Sequence, residues 1–363
     1  MPASSLDTTM SPTSETHRIE SLDVFRGFAL LGILLLNIIG FGLLSPSYSN
    51  AAFDLVGSAA ANTLAWVTVE LLAEGAMRCL FSILFGAGVV LFTTGDNAKS
   101  GRVHYKRTFW LLMFGLFDAY ILLWNGDILV TYALAGAVLY LVRNKSARTL
   151  FILSGILVLL MSLQHLGMGI ALKETSVMFG EVVDADASGQ GDAISEDKRA
   201  AAAAWEDFVK DFSLSPEEAQ IEITARTNTY HDAFIWNAKK NAGMYSLVLP
   251  LFLIWDALAM MLLGMAFYKT GVLQASRDPA FYRKMMVFGF GIGLLVNGYE
   301  VYRAYSSQFD LFASFAQMQP TYHIGRVGIA FGYIGLLGWI CQRGFLKSFT
   351  ERLSAVGRMA LTN

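Results

Sequence analysis

The chain has 363 residues, of which 55% are hydrophobic and only 15% charged, with a mean hydropathy of +0.47. A soluble domain carries roughly 25% charged residues, so an ordinary soluble globule is excluded and an all-α polytopic transmembrane bundle is expected. The net charge of −2 offers no electrostatic footprint for nucleic acid.

Residues 1–17 are polar and Ser/Thr-rich, which reads as a disordered N-terminal tail. No basic n-region starts the chain, so no cleaved signal peptide is expected, and the first span serves as the insertion signal. Apolar runs predict at least eight spans, at 22–43, 75–94, 107–125, 127–143, 148–171, 243–268, 283–303 and 321–341. A helical segment at 62–74 precedes the second span. As one helix, 62–94 would run about 50 Å, more than a hydrocarbon core of ~30 Å, and Gly75 offers a break. The membrane part thus divides into an N-terminal half, 18–171, and a C-terminal half, 243–363, which ends in the start of a further hydrophobic element.

Between the halves lies one large loop, 172–242. Ala200–Phe212 has helical composition, and Ser215, Pro216 and Glu218 spell a capping-box helix start. Two short surface helices are expected there.

Lys and Arg set the orientation. They cluster at Lys99, Arg102, Lys106 and Arg107, at Arg143, Lys145 and Arg148, at Lys269, Arg277, Arg283 and Lys284, and at Arg343, Lys347 and Arg352. The intervening loop 44–62 and Asn125–Gly126 have none. The N-terminus and the basic loops are therefore predicted cytoplasmic, and the loop 172–242 external. Cys79 and Cys341 fall near opposite faces, which excludes a disulfide between them, and no metal motif is present.

Polar residues inside apolar spans mark candidate sites. Asp23 and Arg26 share a helix face near the cytoplasmic start of span one. They are either an interfacial anchor with Arg26 snorkelling or a donor-phosphate site, since a guanidinium suits phosphate oxygens. Asn37 sits in the outer part of the same span. Glu70, Glu74 and Arg78 follow one another at i, i+4 and i+8, as a salt-bridged ladder or as a base and its partner. Asp118 and Asp256 are intramembrane carboxylates, and Asp127 is either an N-cap or a lining group. His323 and Arg326 open the last span, and His323 is the residue whose ordinary pKa suits proton transfer. The glycines of "GFGIGLLVNG" and Gly328-x-x-x-Gly332 read as helix-packing positions.

Depth alone places Asn37, Glu74, Arg78, Asp118 and Asp127 at one level, so they are expected to line a single outward cavity, with Asn125 and Arg326 nearby and His323 at its rim.

The stretches "RIESLDVFRGFALLGILLLNIIGFG" (18–42), "LLAEGAMRCLFSILFGAG" (71–88), "LLWNGDILVTYAL" (122–134), "MMLLGMAFYKTGVL" (260–273) and "VGRMALTN" (356–363) together resemble the YeiB-like bacterial inner-membrane proteins, domain of unknown function 418. This implies a multi-pass inner-membrane location. The first span is also distantly similar to transmembrane acyltransferases, the OafA-like O-acyltransferases and heparan-α-glucosaminide N-acetyltransferase. The catalytic histidine of the OafA-like pattern, ten residues past the Arg-Gly, corresponds to Asn37, which cannot act as a base. The glucosaminide acetyltransferases instead use a histidine in the loop after the first span, and loop 44–62 has none. The resemblance implies acyl transfer from a cytoplasmic acyl-CoA-type donor at Asp23 and Arg26 to an external glycan or lipid acceptor, with acyl-CoA as co-substrate and no tightly bound cofactor. Glu74, Asp118 or His323 would then be the base. A carrier or exporter of a small polar metabolite is the alternative, needing the same buried carboxylates.

Overall fold

The computed structural model describes residues 19–51, 53, 58–94, 99–210, 214–314 and 319–359. The polar tail 1–17 and Arg18 lie outside them. The described chain is helical throughout, without strands. Helix α1 (Glu20–Gly42) is followed by a break and then by α2 (Ala59–Leu72) and α3 (Ala76–Thr93). The anticipated interruption is Gly75, at φ +65, where a Cβ would lie 2.7 Å from the Tyr322 hydroxyl. Helices α4 (Gly101–Tyr120) and α5 (Leu129–Val142) form a hairpin. Ser100 and Ser146 cap α4 and α6 by accepting from the backbone N–H three residues on.

Helix α6 runs Ala147–Ala187, so the fifth predicted span continues 16 residues past its expected end into the loop. Two short surface helices were expected in that loop, and three follow: α7 (Glu196–Lys210), α8 (Pro216–Thr227) and α9 (Tyr230–Gly243). Ser215 and Glu218 form the reciprocal capping box. Far from being a free spacer, this segment docks back on the bundle. Arg226 donates to the carbonyls of Gly40 and Leu43, and Asn237 and Asn241 both donate to that of Ala119.

Helix α9 continues through a π-helical segment, Met244–Leu253, into α10 (Ile254–Lys269). Pro250 has no N–H to give, so the regular ladder cannot pass through it. The carbonyls of Pro250 and Leu251 instead accept from Trp255 and from Gln164 of α6. Then come α11 (Pro279–Ser306), α12 (Leu311–Ser314), α13 (Tyr322–Arg343) and the amphipathic α14 (Lys347–Arg358).

Each predicted span coincides with helix, and six stretches are long and apolar enough to cross a membrane. Helix α5, at 14 residues, spans only about 21 Å, and α4 opens with Arg102, Lys106 and Arg107. Small residues bring the central helices into backbone contact. Gly86 of α3 lies on the Met261 carbonyl of α10, and Gly264 of α10 on that of Ile83. Gly289 and Gly293 of α11 meet Gly328 and Gly332 of α13. Outside this core, Leu31, Leu34, Leu35 and Ile38 of α1 stay about half exposed, as lipid-facing residues do.

Candidate functional site

Asp256, three residues past the π-helical segment, meets Arg326 of α13. Arg326 Nη1 donates to Asp256 Oδ2 at 2.9 Å and Nη2 to Oδ1, a two-point pairing that fixes the planar guanidinium. Nη2 also donates to His323 Nδ1 at 2.7 Å. The His323 ring stacks on His165 of α6, with centroids 4.7 Å apart and planes inclined by 18°. On the other side Arg78 of α3 places Nε 3.7 Å from Asp256 Oδ2. Its Nη2 donates to the Tyr322 hydroxyl at 2.6 Å, and that hydroxyl donates to Glu74 Oε1 at 3.2 Å. Beneath lie the Ser82–Tyr132 hydroxyl pair at 2.6 Å and Cys79 Sγ, 3.1 Å from Met260 Sδ.

Five helical segments thus converge on one buried ionic network, with Arg326 and His323 each 1% exposed and Asp256 8%. Two guanidinium groups face Asp256 directly, and Glu74 joins the network through Tyr322. Removing charges from water costs several kcal/mol per ion, so the cluster persists only because nearly every charge has a partner. Eight buried side-chain N and O atoms lack a hydrogen-bond partner among the described residues, and four of them belong to this cluster: Arg78 Nε, Arg326 Nε, His323 Nε2 and His165 Nδ1. Unsatisfied buried donors cost about 1–3 kcal/mol each, so their concentration here points to a bound group carrying acceptor oxygens.

The single cavity expected from depth is not how the side chains assemble. Glu74, Arg78, Asp256, His323 and Arg326 come together, with His323 at the centre of the network and not at a rim. Asp118 and Asp127 lie beside each other as a separate pair, and Asp127 caps α5 by accepting from Val130 N–H. Asn125 lies in the loop between α4 and α5. Asn37 is half-buried on α1 and makes no hydrogen bond among the described residues. Glu70 lies beside Glu74 and Glu300, while its carbonyl accepts from Asn297 of α11.

At the basic end of the bundle, Asp23 and Arg26 pair at 3.3 Å and are 5% and 6% exposed. Arg26 is buried between α1, α3 and α14 and does not snorkel outward. Its Nη2 lies 3.8 Å from where a Gly88 Cβ would be, and Arg107 lies in its field. Gly27 sits on the Leu353 carbonyl of α14, and Gly357 on that of Asp23. His165, Tyr322 and Tyr132 were not singled out from sequence. A histidine in the middle of an apolar span carries the same signal that marked Asp256, so His165 was legible there. Tyrosine is too common at membrane interfaces for Tyr322 to stand out.

Residues 267–363 match the family described as Protein of unknown function (DUF418). Over 98% of its length the chain is 26% identical to the "Uncharacterized protein YxaH" of Bacillus subtilis (strain 168), covering 80% of that protein. It is 29% identical over 94% of its length to the "Uncharacterized protein YeiB" of Escherichia coli (strain K12), again covering 80% of it. No solved structure matches the chain. Fold and site define a multi-pass, all-helical membrane protein with an ionic network buried among its spans. Within that class, the match to the DUF418 model and the two relatives aligned over nearly the whole chain support a YeiB-like DUF418 family.

Proposed function

We propose that the protein is a membrane-embedded acyltransferase that passes an acyl group from a cytoplasmic acyl-CoA-type donor to an external glycan or lipid, through eight spans with the N-terminus inside. The observation that carries this reading is the row of unpartnered donors at Arg78, Arg326 and His323 beside the Glu74–Tyr322 pair. Acyl transfer needs such donors for the oxygen of the tetrahedral intermediate and a base for the acceptor hydroxyl. Glu74 takes that proton as the hydroxyl oxygen bonds to the carbonyl carbon. The C–S bond then breaks, and the thiolate leaves and is protonated.

The two ends of the path are consistent in length. Gly88, beside Arg26, lies ten residues along α3 from Arg78, about 15 Å at helical rise. Donor phosphates held by Arg26, with Arg107 nearby, would leave an extended pantetheine arm pointing along α3 toward the network.

In proteoliposomes, radiolabelled acetyl-CoA offered on the cytoplasmic side is expected to leave label on a glycan or lipid acceptor. Label transfer and thioester cleavage no greater than in empty vesicles would overturn the reading.

A carrier is favoured by one separate observation. Two helix discontinuities, at Ala73–Gly75 and at Met244–Leu253, flank the network, and broken helices often mark transporter sites. A carrier would move its solute intact, without cleaving any thioester.

A further inference from the structure

We propose that Arg326 holds His323 as the neutral Nε2–H tautomer, so that His323 serves as a hydrogen-bond donor to the acyl carbonyl oxygen and not as the base. The donor role rests on the acyl-transfer reading; the tautomer rests on geometry alone.

A guanidinium has only N–H donors and no acceptor. Nη2 of Arg326 lies 2.7 Å from His323 Nδ1. A proton on Nδ1 would set two N–H groups head to head at that distance, so Nδ1 presents its lone pair. The single proton of the neutral ring is then on Nε2. Nη2 has two hydrogens, and its two contacts use both, one on Asp256 Oδ1 and one on His323.

In hydrolytic triads a carboxylate accepts directly from Nδ1–H, which leaves the Nε2 lone pair free to act as base. Here a guanidinium stands between the carboxylate and the imidazole. The order Asp256, Arg326, His323 reverses the polarity of the ring, and Nε2 becomes a donor. That Nε2 is buried and unpartnered, and the stacked ring of His165 fixes the plane in which its N–H points. The groups facing His323 are His165 from α6, Arg78 from α3, Asp256 from α10, and Tyr322 and Arg326 from its own helix. Nucleophile activation falls instead to Glu74, which accepts from Tyr322.

Full-length protein labelled with 15N-histidine in nanodiscs tests the tautomer by long-range 1H–15N correlation, with His323→Gln identifying the signal. The expected result is a neutral His323 protonated at Nε2. Replacing Arg326 alone would strand Asp256, so the paired change Asp256→Leu with Arg326→Met is the control, and there the preference should fade to a mixture. In acyl transfer, His323→Gln keeps a side-chain N–H and should retain kcat within about tenfold, with the acid limb of the pH profile unchanged. His323→Ala should lose about 10²–10³-fold, the effect of deleting an oxyanion donor.

An Nδ1–H or doubly protonated ring at neutral pH would overturn the proposal. So would a Gln variant as inactive as Ala with the histidine limb gone. An Nε2–H signal with no acyl turnover would overturn the enzymatic reading and the donor role built on it, while the tautomer stands.

Discussion

Asp256→Ala is expected to destabilise the protein by about 3–5 kcal/mol, the range for removing one partner of a buried ion pair. Arg326 is 1% exposed and loses the carboxylate that takes both of its Nη groups. Arg78 loses a counter-ion at the same time. Arg326 cannot reach water without opening the packing around it, whereas Arg78, whose side chain is 30% exposed, can be partly solvated. The cost arises mostly from stranded charge and not from lost attraction. Hence Asp256→Leu combined with Arg326→Met should be much less harmful than Asp256→Ala, because both charges leave together. Thermal unfolding of detergent-solubilised protein measures both. A single variant as stable as the parent would mean that the network does not hold these helices.

Glu74→Gln should lower kcat for acyl transfer by about 10²–10⁴-fold, the usual contribution of a positioned base, with donor affinity unchanged. The substitution is close to isosteric. The amide oxygen can still accept from the Tyr322 hydroxyl, so the junction between α2 and α3 stays closed. What disappears is the capacity to accept a proton from the acceptor hydroxyl. Asp118→Asn serves as the comparison, because Asp118 pairs with Asp127 apart from the network. It should retain turnover. Steady-state kinetics that find Glu74→Gln active and Asp118→Asn inactive would move the base to the second carboxylate pair.

Much of the fold was legible because span formation depends on local apolar runs, caps and breaks. Gly75 and the Ser215–Glu218 box act where their residue types indicated. The extension of α6 to Ala187 was missed because hydropathy marks the end of a span, whereas helix propensity lets Lys173–Ala187 continue in water. The π-helical segment needed tertiary partners, since Gln164 on another helix satisfies the Leu251 carbonyl. For the site, the rule that intramembrane ionisable residues are functional selected Glu74, Arg78, Asp256, His323 and Arg326. Sequence gives depth along a span but not which way a side chain faces. Asn37 and Asp118 were therefore grouped with residues at their depth that the packing turns elsewhere.

The central claim is that a cytoplasmic acyl donor is held at Arg26 and delivered along α3 to the network at Asp256. Isothermal titration of acetyl-CoA into the purified protein, beside Arg26→Ala shown to be folded, tests it most directly. Saturable binding is expected, weakened at least about tenfold in the variant, equivalent to 1.4 kcal/mol or more. Equal affinity in the two proteins, or no binding to either, would contradict it.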